Sequence, residues 1–354
     1  MGKGREQHTS NVSLINNKFF AHTRAIATLL CFPALLYCGC SSVADPGLPA
    51  AEFAKDVTGE PSVTGISLSA AGIGDDTVTD IFIFNDDLLR RLDSYQRVTG
   101  KELKAASRTG DKIIVVIVNP HRSKESWRAI GSYEGLLGET SLLADDDPDS
   151  PVMTGKTSVR AGAELHCEVE TERIMSQICI RTLRADFLGT EYENEELTDA
   201  RVYLTNVNAE CGFMKTSGFS PEQIVNFGEL DERAAGKFSR SEMIVQEIGK
   251  VSAKGVPDPI RLFCYPCDHT TETPGSPFTR LVIEGRIRGH LYYYPITINR
   301  DGGKGISRNC VYTYDITLNR AGSSDPDIPV SPEAVTVNAG CLQWQEKGED
   351  TVIF

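Results

Sequence analysis

The sequence predicts an all-β fold built as two β-sandwiches in series. Three observations carry that expectation. Short runs of β-branched and aromatic residues recur from residue 63 to 337, separated by Gly, Pro, Asn and Asp. No long amphipathic helical pattern alternates with them, which argues against a doubly wound α/β fold. At 354 residues the chain is long enough for two domains. Residues 62–163 are expected to form the first sandwich and residues 164–354 the second, with long loops and minor helix.

The chain opens with a polar stretch carrying Lys3, Arg5, Lys18 and Arg24 against Glu6, followed by thirteen uncharged residues, AIATLLCFPALLY. A basic lead before a short apolar core is the layout of a secretory signal, here with a longer lead than usual. The core is too short for an ordinary membrane span. It ends in Leu36-Tyr37-Cys38-Gly39-Cys40, which resembles a bacterial lipoprotein signal. Gly39 supplies the small residue before the cut, so residues 1–39 are the expected signal peptide and Cys40 the expected lipidation site. Cys38 fits less well because bulky Tyr37 precedes it. An ordinary signal cut nearby is the alternative. Residues 40–61, rich in Pro, Gly and small side chains, read as a flexible tether.

Within the first sandwich, Val63–Ala70 is a weak strand. Val78–Asn85 (VTDIFIFN) is a strong one. Residues 112–119 (KIIVVIVN) are almost continuously apolar, as in a central strand covered on both faces. Residues 127–143 offer Trp127, Ile130, Leu136 and Leu137 to a helical face, interrupted by Gly131, Gly135 and Gly138. Asp145-Asp146-Asp147-Pro148-Asp149 lacks calcium-loop spacing and reads as a solvated turn. In the second sandwich, strands are expected at Leu165–Val169, 174–182 and 201–207, then at 260–265, 279–286, 290–298 and Cys310–Leu318. Arg288-Gly289 sits as a hairpin turn. Residues 208–250 read as long loops with a short helix near 221–227. A final strand begins at 334–337, and Trp344 with Val352-Ile353-Phe354 supplies late apolar anchors.

There are 49 acidic and 36 basic residues, for a net charge of −13. Cleavage before Cys40 removes four bases and one acid and takes it to −16. With no basic stripe, general nucleic-acid binding is excluded. Apolar residues at 40% and charged residues at 24% indicate a folded body rather than a disordered one.

Chemistry-bearing motifs are few. Three of the ten cysteines lie in or beside the signal, and seven remain in the body. An odd number cannot all pair within one chain. Cys264-Tyr265-Pro266-Cys267-Asp268-His269 is the one suggestive cluster. Cys264 and Cys267 are a candidate disulfide or packed thiol pair; metal binding and thiol exchange are the other readings. Zinc needs four ligands and only Cys264, Cys267 and His269 are nearby. A redox pair usually opens a helix, whereas this one ends a strand. No GxSxG elbow, phosphate loop or HExxH helix is present. No catalytic residue, metal or cofactor is expected. Of Tyr292, Tyr293 and Tyr294, alternate members should pack inside.

The strand blocks resemble the type V fimbrial proteins of Bacteroidales, the FimA/fimbrillin-like family. VTDIFIFN at 78–85 with GDKIIVVIVNP at 110–120 carries the likeness, as do SPVMTG at 150–155 and RLVIEGRIRGHLYYYPITINR at 280–300. So do GISRNCVYTYDITLNRAGSSDPDIPV at 305–330 and Trp344. The resemblance implies two transthyretin-like Greek-key β-sandwich domains and no catalysis. It also implies a fimbrium (pilus) subunit exported as an outer-membrane lipoprotein, assembled with other subunits by strand donation and contributing to adhesion. In stalk subunits of that family a protease cuts after an Arg following the first strand. Here residues 66–80 contain no Arg or Lys, which points to a tip, anchor or otherwise specialised subunit, or to a different protease. Residues 330–354 are the expected donated or strand-exchanging segment. The alternative is a non-polymerising surface lipoprotein that binds glycan or host protein through the 208–250 loops or the tyrosine-bearing strands.

Overall fold

A computed structural model of the chain describes residues 63–162, 165–216, 219–226, 229–230, 240–273, 276–299, 305–331 and 333–344. The expected signal, the tether, Cys40 and the terminal 352–354 anchor lie outside the described residues. Among the described residues, no helix is long and apolar enough to cross a membrane.

The first group of strands is β1 (Val63–Ala70), β2 (Val78–Asn85), β3 (Leu92–Thr99), β4 (Leu103–Arg108) and β5 (Gly110–Val118). A 3-10 turn at Lys124–Trp127 and the short helix α1 (Tyr133–Leu137) follow, then β6 (Thr140–Leu142), β7 (Met153–Ala161), β8 (Leu165–Val169) and β9 (Thr171–Arg173). One sheet has the order β4-β1-β8, with β1 antiparallel to β4 and parallel to β8. The other, β3-β2-β5-β7-β9, is antiparallel throughout. Ile66 and Leu68 of β1, with Leu103 and Ala105 of β4, pack against Ile81, Ile83, Ile114, Val116 and Val118.

The second group comprises β10 (Ser176–Ala185), β11 (Leu197–Thr205), β12 (Val207–Asn208), β13 (Glu210–Gly212), β14 (Ile224–Asn226) and β15 (Glu229–Leu230). It continues with β16 (Val245–Val251), β17 (Ile260–Cys264), β18 (Arg280–Ile287), β19 (His290–Thr297), β20 (Cys310–Leu318) and β21 (Val335–Gln343). Its main sheets are β17-β10-β20-β21 and β16-β11-β18-β19. Arg288 (φ 51°) and Gly289 (φ 82°) both adopt the left-handed conformation that a two-residue hairpin turn demands, which fixes the β18–β19 register.

The all-β expectation holds, and residues 112–118 are indeed buried on both faces of the sheet. One face of β2 and β5 closes the first sandwich. The other carries Phe82, Phe84, Ile113, Val115 and Ile117 into a second core shared with Trp127, Leu136, Phe213 and the interior of the second group. Each such side chain contributes about 1.5–3 kcal/mol when fully buried. The Trp127 and Phe213 rings meet edge-on at 5.3 Å, and β6 pairs with β13 across the same junction.

Asp80 sits on that second face with no exposed surface. Arg97, its cross-strand partner, clamps it with two bonds of 2.7 Å. Tyr95 Oη donates at 2.8 Å and Trp127 Nε1 at 2.7 Å. A buried carboxylate is tolerable only when its lone pairs are filled in this way. The second group repeats the device: Arg201 lies opposite Glu284 and donates twice at 3.0 Å, and Tyr203 adds a bond of 3.1 Å.

Several local expectations are corrected. Helix over 127–143 shrinks to Tyr133–Leu137. Ser132 caps it by accepting from the Gly135 N–H, Gly138 ends it, and Thr140–Leu142 is taken by strand pairing. Helix near 221–227 is overturned for its described part, since Ile224–Asn226 pairs with Val207–Asn208. The described part of 208–250 also supplies β13 and β16. Strands β3, β4, β7 and β16 were not expected from sequence. β3 and β16 are edges whose mixed polar residues are only partly covered. By strand pairing, β8 joins β1 and β9 joins β7, so residues up to Arg173 are tied to the first group.

Replacing Asp80 by Ala strands the Arg97 charge and the Trp127 N–H. We expect a loss of about 3–5 kcal/mol in urea unfolding. Asp80→Asn keeps the shape and one acceptor, and should lose less.

Candidate functional site

The acidic turn after β6 is not simply solvated. Asp145 and Asp149 are exposed, but Asp146 is sealed. Its Oδ1 accepts the backbone N–H groups of Asp147 (2.8 Å) and Val152 (3.0 Å). Its Oδ2 lies 3.1 Å from the Tyr265 hydroxyl, which also reaches Ser141 Oγ at 3.0 Å. Tyr265 is the residue between Cys264 and Pro266, so this network joins the two strand groups. Burial pushes the Asp146 carboxyl up to about 6, against the pull of its two backbone donors. Burial, with the neighbouring Asp146, also holds the Tyr265 hydroxyl well above its ordinary range.

Cys264 and Cys267 are both buried. Burial pushes the Cys264 thiol far up. Cys267 Sγ lies 3.6 Å from His269 Nδ1 and 3.9 Å from the Pro277 carbonyl. Its backbone exchanges two hydrogen bonds with Ile306, at 2.8 and 2.9 Å, which fixes the motif against the strand leading to β20. Beside it opens a cavity of about 590 Å³, lined among others by Cys211, Met214, Phe219, His269 and Arg308. Arg308 is buried and donates to the carbonyls of Phe213 (3.1 Å) and Gly212 (2.8 Å) and to Cys211 Sγ (3.3 Å). Burial nonetheless pushes the Cys211 thiol up to about 11. Among the described residues no three His, Cys, Asp or Glu side chains converge as metal ligands. Arg308 and Asp146 were missed by sequence reading: one is a lone base between strands, the other looks like any acid in a polar turn.

Other histidines and tyrosines are scattered. His121 contacts the Ser150 carbonyl at 2.7 Å, while His166 lies on β8 and His290 opens β19. Tyr294 packs inside and donates to the Arg320 carbonyl, whereas Tyr292 and Tyr293 are half-buried. Cys40 lies outside the described residues.

Two strands have functionally telling positions. β1 is inserted between β4 and β8 and is paired on both sides. β21 is an edge: it pairs along its nine residues with β20, and most of it is exposed. Between β21 and the edge strand β19 of the facing sheet runs a groove of about 390 Å³. Ile296, Tyr312, Tyr314, Val337, Ala339 and Cys341 line it. The end of β21 is pinned by Trp344, whose N–H donates to the Asn309 carbonyl at 2.7 Å. Its ring stacks on Phe263 at 6.0 Å and lies under the Arg173 guanidinium at 4.7 Å.

These features define an all-β protein of fimbrillin-like β-sandwich fold. No protein-family model matches the sequence, and no curated protein matches it. Solved structures do share the fold. One from Bacteroides eggerthii assigned to cell adhesion aligns with a TM-score of 0.59 at 17% identity, covering 82% of this chain and 98% of that one. Another from Parabacteroides distasonis, also assigned to cell adhesion, gives 0.57 at 13%, covering 81% and 98%. A fimbrilin (FimA) of Porphyromonas gingivalis gives 0.56 at 13%, covering 80% and 98%.

The Asp146 network makes stability depend on pH in a stated direction. Its folded carboxyl holds a proton up to about pH 6, against an ordinary value of 3.8. Between those values the folded state binds more protons than the unfolded one, so this group's contribution falls as pH rises. The span corresponds to roughly 3 kcal/mol. We expect urea midpoints at pH 4.5 and pH 7 to differ less in Asp146→Asn than in the parent, the missing part being gain at the lower pH.

Proposed function

We propose that this chain is a structural subunit of a cell-surface fimbrium, assembled with other subunits by β-strand exchange and contributing to adhesion. The observation that carries the reading is the long edge strand β21, paired on one side among the described residues, beside a groove of about 390 Å³. A strand held by one neighbour can leave, and a groove with an unpaired backbone edge can accept another chain's strand; backbone hydrogen bonds and side-chain pockets are then satisfied together. The fold shared with the Porphyromonas gingivalis fimbrilin supports the same reading. β1 is a second exchange position, because its removal would uncover the Ile66 and Leu68 sites between β4 and β8.

Within this proposal the chain is exported, lipidated on Cys40 and held at the outer membrane by its acyl chains, with residues 40–61 as tether. Each buried methylene contributes roughly 0.8 kcal/mol to such anchoring. The two strand groups act as two domains. The turn between β1 and β2 offers no Arg or Lys, and the first base after β1 is Arg90, beyond β2. An arginine-directed protease therefore cannot free β1 alone, which favours a tip, anchor or other specialised subunit over a stalk subunit. The second reading, a non-polymerising surface lipoprotein that binds glycan or host protein, is favoured by the cavity of about 590 Å³ beside β13 and β14.

Two measurements test the reading. Intact mass and fractionation of native cells should give an acylated species beginning at Cys40 in the membrane fraction. Cys40→Ser should move to the soluble fraction; a membrane-bound Cys40→Ser protein would refute the anchor. Deleting residues 331–354 should abolish high-mass polymers. Polymers that persist would overturn the role of the C-terminal segment. Stable parent monomers with saturable glycan binding would select the second reading.

A further inference from the structure

Two thiols meet where the C-terminal edge strand joins its one neighbour among the described residues. The antiparallel register sets Cys310 of β20 opposite Gln343, and Tyr312 opposite Cys341 of β21. Residues two apart on a strand share a face. Cys310, Tyr312 and Cys341 therefore lie on one face, with the two cysteines as diagonal neighbours. The two thiols adjoin each other, and the Tyr312 hydroxyl adjoins Cys341. Tyr312 itself is fixed: its hydroxyl accepts the Ser307 N–H at 2.8 Å and donates to the Gly305 carbonyl at 3.2 Å.

Access differs between the two thiols in a useful way. Cys341 is exposed and lines the groove beside β21, while Cys310 is half-buried behind it. Cys179, Cys211, Cys264 and Cys267 are all buried. Of the second group's cysteines, this pair is the one that a reagent from solution meets first.

We propose that Cys310 and Cys341 are a disulfide-forming pair that clamps β21 onto β20, so that their redox state decides whether the C-terminal edge strand can leave. The oxidant is a small-molecule or protein disulfide. The Cys341 thiolate attacks one of its sulfurs and expels the other as a thiolate, giving a mixed disulfide. The Cys310 thiolate then attacks the Cys341 sulfur and expels the second oxidant thiolate. Two protein thiols are oxidised, one external disulfide is reduced to two thiols, and the two protons end on the departing thiolates. Burial, with the adjacent Cys341, raises the Cys310 thiol above its ordinary range, so closure of the protein disulfide quickens as pH rises.

The clamp acts where it has most effect. Among the described residues β21 has ladder hydrogen bonds on one side only, so its departure costs one ladder; a covalent link between the strands prevents that departure outright. The consequence for assembly rests on the strand-exchange reading above, but the clamp itself does not.

The test uses the full chain treated with oxidised glutathione or with dithiothreitol. Peptide mapping without reduction should yield a 310–341 cross-linked peptide after oxidation. Amide hydrogen exchange at 335–343 should then be slower by about tenfold or more than in the reduced chain. Cys341→Ser should abolish both effects, and Cys179→Ser should leave both intact. A stable glutathione adduct on Cys341 with no 310–341 link would overturn the proposal. So would a link that forms without changing exchange at 335–343. A chain that shows the clamp but never polymerises upholds the clamp and refutes the fimbrial reading, which keeps the two failures distinct.

Discussion

The first sandwich has a central sheet with no wet face over β2 and β5, and the rest of the architecture follows from that constraint. Ile81, Ile83, Ile114 and Val116 close one core, while Phe82, Phe84, Val115 and Ile117 on the alternate positions need another. The chain supplies that second cover with the segment around Trp127 and with the interior of the second strand group. Two sandwiches that could have hung on a linker are thereby joined through one apolar layer. Asp80 is the polar exception in that layer, and it is tolerated because Arg97, Tyr95 and the Trp127 indole fill its lone pairs.

The junction has a second polar node in Asp146, Tyr265 and Ser141. Burial lifts the carboxyl while two backbone N–H groups hold it in place. A short turn that resembles a solvated acidic loop is therefore a structural joint, and Tyr265 is held there between the two cysteines that attract attention in the sequence. The CxxC spacing follows from local needs: Cys264 completes the buried face of β17, and Cys267 bridges to Ile306 as the chain turns away.

Against this rigid middle, the strand edges are weakly held. Among the described residues β21 has one hydrogen-bonding neighbour and a groove beside it, and Trp344 secures its end. A shared core beside a strand paired on one side is the arrangement that the proposed strand-exchange assembly would use. The Cys310–Cys341 pair lies across that edge, where one covalent bond has the greatest leverage on exchange.

The alternation and β-branched content of 78–85, 112–118, 280–287 and 310–318 made the all-β class legible, because period-two burial leaves its mark on composition. The Arg288-Gly289 turn was legible for the same local reason. Edge strands such as β3 and β16 were not, since half-covered strands need little apolar alternation. The 127–143 segment carried apolar residues that suit a helix, yet glycines and the β6–β13 pairing confined the helix to one turn. Cys264 and Cys267 stood out by spacing, whereas Asp146, Arg308 and the Cys310–Cys341 contact did not. Strand propensity is written in neighbouring residues, so the sequence by itself determined the class of the fold. Burial of a lone acid, and the meeting of two thiols thirty-one positions apart, depend on register between distant strands, which tertiary pairing alone decided.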